Sequence, residues 1–298
     1  MKKIRELIPA LSPKDIVLFG VGRSGTTWLG QLLASAGLEY VFEPEAYWNF
    51  LPHEETRDRK RYPMPHHYLR AGQKTPYDHF FTKALRGEYK NEETVRANPG
   101  AKRKVIKVIR MNLMIPWILE RVNVQPVYLM RDPMATIASQ VSCDFETTVP
   151  RLTSYFYQDE LFEDHLEPFR DLIEQADSSK GRTSYIEYLT ILWCVQTYVA
   201  RRQGVFDTVH TIRYRMLLLQ PYKLLWDIAN RFSLDFNFEA LDREIAKKSF
   251  TTHSLDENHD PLNNWRNVFS DDEVKLIVDI IKVFGLAEYI GSDDLKQQ

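Results

Sequence analysis

A short apolar run that breaks into a glycine-rich turn limits the possible folds of this 298-residue chain more than any other feature. Residues 16–19 are apolar, β-branched at their start and followed by Gly20, a pattern typical of a buried parallel strand. Gly20 and Gly25 have the spacing of the phosphate-binding loop G-x-x-x-x-G-K-[ST], but Thr26 replaces the lysine and a cation comes earlier, at Arg23. Such a nest before a helix suits a phosphate, whereas the missing lysine argues against ordinary phosphoryl transfer.

Strand and helix signals alternate along the rest of the chain. Thr26 or Thr27 is expected to cap the first helix, which Gly37 ends. Further strands are predicted at 38–42, 105–110, 127–130 and 209–214, and further helices up to 121 and at 135–141, 186–202, 221–232 and 271–284. The alternation predicts an α/β fold with a central parallel sheet flanked by helices, in one domain over residues 1–298. We expect irregular structure around short helices at 47–100 and a helical excursion at about 143–182.

Composition excludes several classes of function. The formal net charge of -2 and the pI near 6.5 do not support a nucleic-acid binder that works through a basic field. Cys143 and Cys194 are too few for a disulfide framework, which favours a reducing compartment. The basic N-terminus has no sustained apolar core, so we expect neither a signal peptide nor an integral membrane segment. The prediction is a soluble cytoplasmic protein.

Cationic and hydroxyl side chains follow three of the predicted strands. They lie at residues 23–27, at Lys107 with Arg110, and at residues 131–139. Because ligands bind at the carboxyl ends of parallel strands, one ligand could meet all three groups. Arg131 and Ser139 suit a second phosphate, since a guanidinium and a hydroxyl can bind its oxygens. The alternative is a surface Arg-Asp pair followed by an ordinary helix serine.

These motifs resemble a known family. Residues 22–29, GRSGTTWL, are similar to the 5'-phosphosulfate loop of sulfotransferases that use 3'-phosphoadenosine 5'-phosphosulfate (PAPS). Residues 128–139 resemble their 3'-phosphate motif, Arg213-Tyr214 with Leu217 their tyrosine strand near the adenine, and Asn264-Trp265-Arg266 before Phe269 their tryptophan-basic element. The resemblance runs in order over residues 16–286 and implies the P-loop NTPase-like sulfotransferase fold.

The resemblance also implies a donor and its binding residues. PAPS would be the donor and adenosine 3',5'-bisphosphate (PAP) the product, with no metal required because cations and a helix N-terminus can stabilise the leaving phosphate. Trp28 either stacks on the adenine or packs in the core. The donor-binding residues implied by the resemblance are Arg23, Ser24, Gly25, Thr26, Thr27, Trp28, Arg131, Ser139, Tyr214, Trp265 and Arg266.

The predicted catalytic residues are Glu43, Lys107 and Arg23. Lys107 is similar to the family's second-strand lysine, which neutralises the bridging oxygen, although a lysine on an edge strand can also be a surface residue. The histidine that follows this lysine in cytosolic aryl and steroid enzymes is missing, because Val108 and Ile109 follow here. The Phe42-Glu43-Pro44 segment instead resembles the glutamate element of carbohydrate and bacterial glycolipid sulfotransferases.

Glu43 is therefore the predicted general base, with a pKa raised by partial burial between Phe42, Tyr47 and Trp48. The alternative is that Glu43 pairs with an arginine across the cleft. Lys74, in the run Lys74-Thr75-Pro76, either brings a further cation to the site or belongs to a plain turn. The rival bases are Glu45, His53, His66 and His67.

The predicted activity is transfer of a sulfuryl group from PAPS to a hydroxyl, or an amine, of a carbohydrate, glycolipid or small alcohol. The glutamate element favours a small-molecule or glycan acceptor, while the aromatic stretch at 155–169 could frame a hydrophobic alcohol. Two alternatives stay open. One is a nucleoside or nucleotide kinase, which would need a lysine at Thr26 and a magnesium-binding aspartate. The other is a non-catalytic nucleotide-binding protein on the same fold.

Overall fold

A six-stranded sheet forms the centre of the molecule. The computed structural model describes residues 14–46, 66–89, 94–143, 155–178, 181–247 and 260–291. The strand order is β3-β2-β4-β1-β5-β6, with β3 antiparallel to β2 and the other pairs parallel. The strands are β1 Ile16–Phe19, β2 Glu39–Phe42, β3 Val95–Ala97, β4 Lys104–Lys107, β5 Gln125–Met130 and β6 His210–Arg213.

Helices cover both faces of this sheet, which confirms the predicted α/β class. Alternate residues of β1 enter different cores: Val17 and Phe19 pack with α2 and α3, and Ile16 and Leu18 pack with α1, α8 and α9. The long helix α6 packs mainly on α4 and α10. The helices of six or more residues are α1 Thr26–Ala34, α2 Asp78–Leu85, α3 Ile115–Arg121, α4 Pro133–Val141, α5 Arg170–Ser178, α6 Arg182–Arg202, α7 Tyr214–Leu219, α8 Pro221–Phe232, α9 Phe238–Ala246 and α10 Asp271–Val283.

The strand order places a crevice where the chain changes direction. β1 lies between β4 and β5, so the chain leaves β1 toward one side of the sheet and later returns to its other side. Leu18 is in register with Lys107, and Phe19 with Tyr128, so the carboxyl ends of these three strands lie side by side. In open α/β sheets, ligands bind at such a switch point.

Three local predictions are wrong. Neither threonine caps α1, because its N-cap residue is Gly25 in the left-handed region and makes no side-chain cap. Tyr214 begins α7 rather than ending β6. β3 lies within a stretch predicted to be irregular, and its three residues are too few to show a strand pattern.

In the described part of the excursion at 143–182, residues 159–178 are helical and a further helix begins at residue 182. Short helical turns at 159–169 lead into α5. Their buried aromatic residues, such as Phe162 and Phe169, pack into the same core as α4, α6 and α10. In the described part of the chain, no helix combines the length and the apolar character needed to cross a bilayer.

Candidate active site

The loop between β1 and α1 has a backbone that excludes ordinary side chains at two positions. Gly20 has a φ of 154° and Gly25 a φ of 94°, and Arg23 also has a positive φ, 70°. A Cβ on Gly20 would lie 2.7 Å from the carbonyl oxygen of Leu129, and one on Gly25 would lie 2.4 Å from the ring of Tyr214. The glycines at both ends of the motif are thus required by the close approach of β5 and of Tyr214.

This loop presents a helix N-terminus to the crevice. The first turn of α1 carries no acidic residue, so the positive end of the helix dipole is not neutralised there. Ser24 is 1% exposed, and its Oγ has no hydrogen-bond partner among the described residues. A buried hydroxyl without a partner beside free helix amides fits an anion, because it would supply the missing hydrogen bond.

We expect Gly25→Ala to destabilise the protein by about 2 kcal/mol, because a positive φ and a steric clash act together. The new methyl group would displace Tyr214 and disturb the loop. The measurement is thermal unfolding together with titration of PAP, the product that the family resemblance implies. Gly37→Ala is the matched control, since Gly37 has a φ of 82° but nothing within 4 Å of a new Cβ. Equal destabilisation of the two variants with unchanged PAP affinity would contradict this account.

A second cationic group lies next to the loop. Arg131 follows β5, and its Nη1 donates to the carbonyl oxygen of Arg23 at 2.8 Å. Arg23 Nε donates to Ser139 Oγ at 3.2 Å, which joins the loop to α4. The guanidinium of Arg131 lies 4.7 Å over the ring of Tyr214, and its buried Nε has no partner among the described residues. The structure therefore brings together residues from three separate parts of the sequence.

Two of the predicted donor-binding aromatic residues, Trp28 and Tyr214, contact each other next to Arg131. Trp28 meets Tyr214 edge-on at 6.3 Å and donates its indole N–H to the carbonyl oxygen of Glu244 at 3.3 Å. Arg131 also donates to the carbonyl oxygen of Pro261, which ties the segment before α10 to the crevice. In that segment Trp265 is 5% exposed and packs in the core, with the exposed Arg266 4.3 Å over its ring. Stacking of adenine on Trp28 stays a prediction.

A buried ion-pair cluster lies at the ends of β2 and β4. The backbone N–H of Glu43 donates to the carbonyl oxygen of Lys107, so Glu43 extends the pairing of these strands. Lys107 Nζ lies 2.5 Å from Glu43 Oε1, and Arg110 Nη1 lies 2.6 Å from Glu43 Oε2. Lys107 is 3% exposed, and its ammonium also lies 4.1 Å over the ring of Phe42. The interpretation of Lys107 as an exposed surface lysine is therefore wrong.

The two cations decide the charge of Glu43. Burial acts to raise its pKa, but the charges and hydrogen bonds of Lys107 and Arg110 outweigh burial and lower the pKa to about 2. The predicted raised pKa is therefore wrong for the protein without ligands, and the predicted partners Tyr47 and Trp48 lie outside the described residues. The alternative, an ion pair between Glu43 and an arginine, describes the structure, with Arg110 as the arginine.

Comparison with known proteins identifies the family. Residues 13–237 match the family described as Sulfotransferase family. The chain belongs to the sulfotransferase family.

Three of the similar solved structures share only low sequence identity with this chain. A sulfotransferase domain from the curacin biosynthetic pathway is 16% identical, with a TM-score of 0.48 over 91% of this chain and 98% of that chain. Mouse sulfotransferase SULT7A1 complexed with PAP is 15% identical, with a TM-score of 0.44 over 96% and 86%. Retinol dehydratase in a complex with retinol and PAP is 18% identical, with a TM-score of 0.44 over 96% and 82%. A search of curated proteins gives no match.

The alternative candidates for the general base of this sulfotransferase differ in their pKa values. Glu45 is fully buried; its Oε1 accepts from the N–H of Ile109 at 2.9 Å and lies 3.9 Å from Arg110 Nη1. Burial and the nearby charge of Glu43 raise the pKa of Glu45 to about 7. Burial also lowers the pKa values of His66 and His67 to about 3, so both are neutral near pH 7. His53 lies outside the described residues.

Two further predictions concern the surroundings of this sulfotransferase site. Lys74 is exposed in the segment that leads to α2, and its role as a further cation of the site stays a prediction. Among the described residues, no group of three or more His, Cys, Asp or Glu side chains could hold a metal ion.

Arg110 is absent from the predicted catalytic and donor-binding residues, although it was noted as a cation after β4, and the structure pairs it with Glu43. The useful signal is its spacing: Arg110 comes three residues after Lys107, beyond the strand end, where the chain turns back toward Glu43.

Proposed function

We propose that this sulfotransferase transfers a sulfuryl group from PAPS to an acceptor hydroxyl or amine. The observation that carries the proposal is that three groups of residues lie together at the carboxyl ends of β1, β4 and β5. These are the loop at Gly20 to Thr27, the Arg23-Ser139-Arg131 group, and the pair of Lys107 with Glu43. The first two groups suit the two phosphates of one nucleotide. In the third, Glu43 could accept a proton and Lys107 could stabilise negative charge beside the nucleotide.

The donor-binding residues fit the charge and size of such a nucleotide. The amides of Gly25 to Thr27 and the unpartnered Oγ of Ser24 would hold the 5'-phosphosulfate, because the N–H of Ser24 already donates to the carbonyl oxygen of Val21. Arg131, Arg23 and Ser139 would hold the 3'-phosphate, with Tyr214 and Trp28 on the adenine side. When bound, PAPS supplies an electrophilic sulfur joined to a phosphate leaving group. We propose that this chemistry needs no metal ion, because the cations and the N-terminus of α1 balance the leaving charge.

Lys107 would supply positive charge at its Nζ as the leaving phosphate gains charge. Burial lowers the pKa of Lys107, while the carboxylate of Glu43 acts in the opposite direction and favours the charged ammonium. A fixed charge in a site with little water stabilises a transition state more than the same charge in bulk water. Lys107 is held for this role by its contacts with Glu43 and Phe42.

Glu43 would accept the acceptor's proton at its carboxylate. With a pKa of about 2 it is always ionised near neutral pH, but it is a weak proton acceptor while both cations hold it. When Lys107 turns its ammonium toward the leaving phosphate, Glu43 loses one of its two neutralising charges. Its pKa then rises, because the nearby positive charge that favoured the ionised form has moved away. The ion pair thus links base strength to occupation of the donor site.

The surroundings of Glu43 support a proposal for the acceptor class. We propose a carbohydrate, glycolipid or small alcohol, as the resemblance of the Glu43 segment to the glutamate element implies. Tyr155 and His66 meet edge-on at 5.4 Å, and both lie within electrostatic range of Arg110. Aromatic faces beside polar side chains suit an acceptor with an apolar body and a hydroxyl, such as a sugar or an alcohol.

Calorimetry tests the donor. We expect PAP to bind in the presence of EDTA, and adenosine 5'-monophosphate to bind at least about tenfold more weakly because it lacks the phosphate for Arg131. Radiolabelled sulfate transfer from PAPS to a panel of sugars and alcohols then tests the activity. Tight binding of MgATP with no binding of PAP would favour a kinase. PAP binding without transfer to any acceptor in the panel would favour a non-catalytic nucleotide-binding protein.

A further inference from the structure

One buried amide side chain outside the predicted site joins the donor loop to the segment that carries Lys107. Asn112 is completely buried and starts the short helical turn Asn112–Met114 after β4. Its Oδ1 accepts from the N–H of Gly20 at 3.2 Å, and its Nδ2 donates to the carbonyl oxygen of Gly20 at 3.1 Å. Both backbone polar groups of Gly20, the first glycine of the loop, are therefore bound by one side chain.

These two bonds continue the pairing of β1 with β4 past the end of the strands. The last backbone bond between them runs from the N–H of Val108 to the carbonyl oxygen of Leu18 at 2.9 Å. Beyond it the two chains diverge, since the loop turns into α1 and the segment after β4 turns into α3. The amide of Asn112 takes the place of a peptide group and pairs with Gly20. It satisfies buried backbone groups that would otherwise lack partners.

The orientation of this amide is fixed by acceptors on two further elements. Nδ2 also lies 2.7 Å from Gln196 Oε1 on α6 and 3.0 Å from the carbonyl oxygen of Ile109. Three oxygens therefore surround Nδ2, so the nitrogen and oxygen of the side chain cannot exchange places without setting oxygen against oxygen. Gln196 is itself 1% exposed and donates to the carbonyl oxygen of Leu192. An aspartate at position 112 would face the same three oxygens without a donor.

We propose that Asn112 is a positioning residue that fixes the donor loop relative to Lys107, with Gln196 holding the amide in register. Asn112 lies five residues after Lys107, and its bond to Ile109 makes that segment a compact turn. The same side chain thus sets where the loop begins and where the segment bearing Lys107 and Arg110 ends. Because Gly20 N–H is already occupied, the amides left for an anion come later in the loop. This inference rests on the proposed use of PAPS.

The test compares Asn112→Ala and Gln196→Met with the wild-type protein. Calorimetry in EDTA measures the Kd for PAP, and hydrogen exchange followed by mass spectrometry measures protection of the loop peptide that contains Gly20. We expect PAP to bind about tenfold more weakly to Asn112→Ala and about threefold more weakly to Gln196→Met, with faster exchange of the loop in both. Loss of two bonds to Gly20 accounts for the larger effect.

Gln158→Ala is the matched control. Gln158 is another buried amide with bonds to several backbone groups, including the carbonyl oxygens of His66 and Tyr155, but none of these groups belongs to the loop. It should lower the melting temperature as Asn112→Ala does, yet leave the Kd for PAP and the exchange of the loop peptide unchanged. An equal loss of PAP affinity in this control would overturn the proposal, since the effect would then be general destabilisation.

The results separate the inference from the proposed function. If wild type binds PAP and both variants bind it equally well with unchanged loop exchange, Asn112 does not position the loop. If Asn112→Ala does not fold, Gln196→Met decides by the same two measurements. If wild type does not bind PAP, the proposed donor is wrong, and the positioning role assigned to Asn112 is overturned with it.

Discussion

Lys107→Ala should lower kcat by at least about tenfold, the loss expected when a charge aimed at the transition state is removed. Lys107 is 3% exposed at the end of β4, and its Nζ lies 2.5 Å from Glu43. Alanine leaves a buried site without the charge that would stabilise the leaving phosphate, and water replaces it poorly. The measurement is steady-state transfer of sulfate at saturating PAPS and acceptor. Because the charge acts in the transition state, kcat should fall more than donor affinity.

Lys104→Ala is the matched control for this substitution. Lys104 lies on the same strand, but its Nζ donates to the carbonyl oxygen of Arg86 near the surface. Its removal should leave kcat unchanged. A fall of equal size in both variants would show a general effect on β4, and an unchanged kcat in Lys107→Ala would remove Lys107 from the mechanism.

Short-range patterns predict most of the fold. The apolar residues of β1, the glycines of the loop and the spacing of leucines in α1 lie within 19 consecutive positions, so sequence neighbours determine their structure. The alternation of such segments then predicts the sheet and its crevice. β3 was missed because a strand of only three residues, which pairs antiparallel with β2, is too short to carry a periodic signal.

The start of α1 at the site depends on contacts between residues that are far apart in the sequence. Gly25 rather than a threonine caps α1, because the ring of Tyr214 leaves no space for a Cβ at the left-handed position. Tyr214 in turn lies under Arg131, which is fixed by the carbonyl oxygen of Arg23. Each of these choices follows from residues about 80 to 190 positions apart, and the local propensity for a threonine cap is overridden.

The charge state of Glu43 could not be predicted for the same reason. Burial alone would raise its pKa, and the sequence shows the apolar neighbours that cause burial. The sign reverses because β2 pairs with β4, which brings Lys107 and Arg110 to its two oxygens. Sequence order places these cations 64 and 67 residues away. The sequence correctly placed Glu43 just after a predicted strand. Only the register between β2 and β4 shows that Lys107 and Arg110 lie beside it.

Glu43→Gln should abolish most turnover, by about a hundredfold or more as expected for loss of a general base, while PAP still binds. The amide keeps the shape of the side chain but cannot accept the acceptor's proton. PAP affinity should not fall, because the substitution leaves Lys107 without a competing carboxylate. Single-turnover transfer measures the chemical step, and calorimetry measures PAP binding. Near-normal turnover would move the role of base to Glu45 or to one of the histidines.

Glu45→Gln provides the decisive comparison. With a pKa of about 7 against 4.5 in an unfolded chain, Glu45 binds a proton more readily in the folded protein. Protonated Glu45 therefore contributes to the free energy of unfolding below pH 4.5, and this contribution is lost as pH rises from 4.5 to 7. The stability of the Gln variant should not fall over this pH range. Glu45 contacts Arg110, and Arg110 in turn pairs with Glu43. Glu45→Gln should therefore change the pH profile of kcat but leave much of the activity. If Glu45→Gln abolishes turnover and Glu43→Gln does not, Glu45 is the base and the Glu43-Lys107 pair only orders the site.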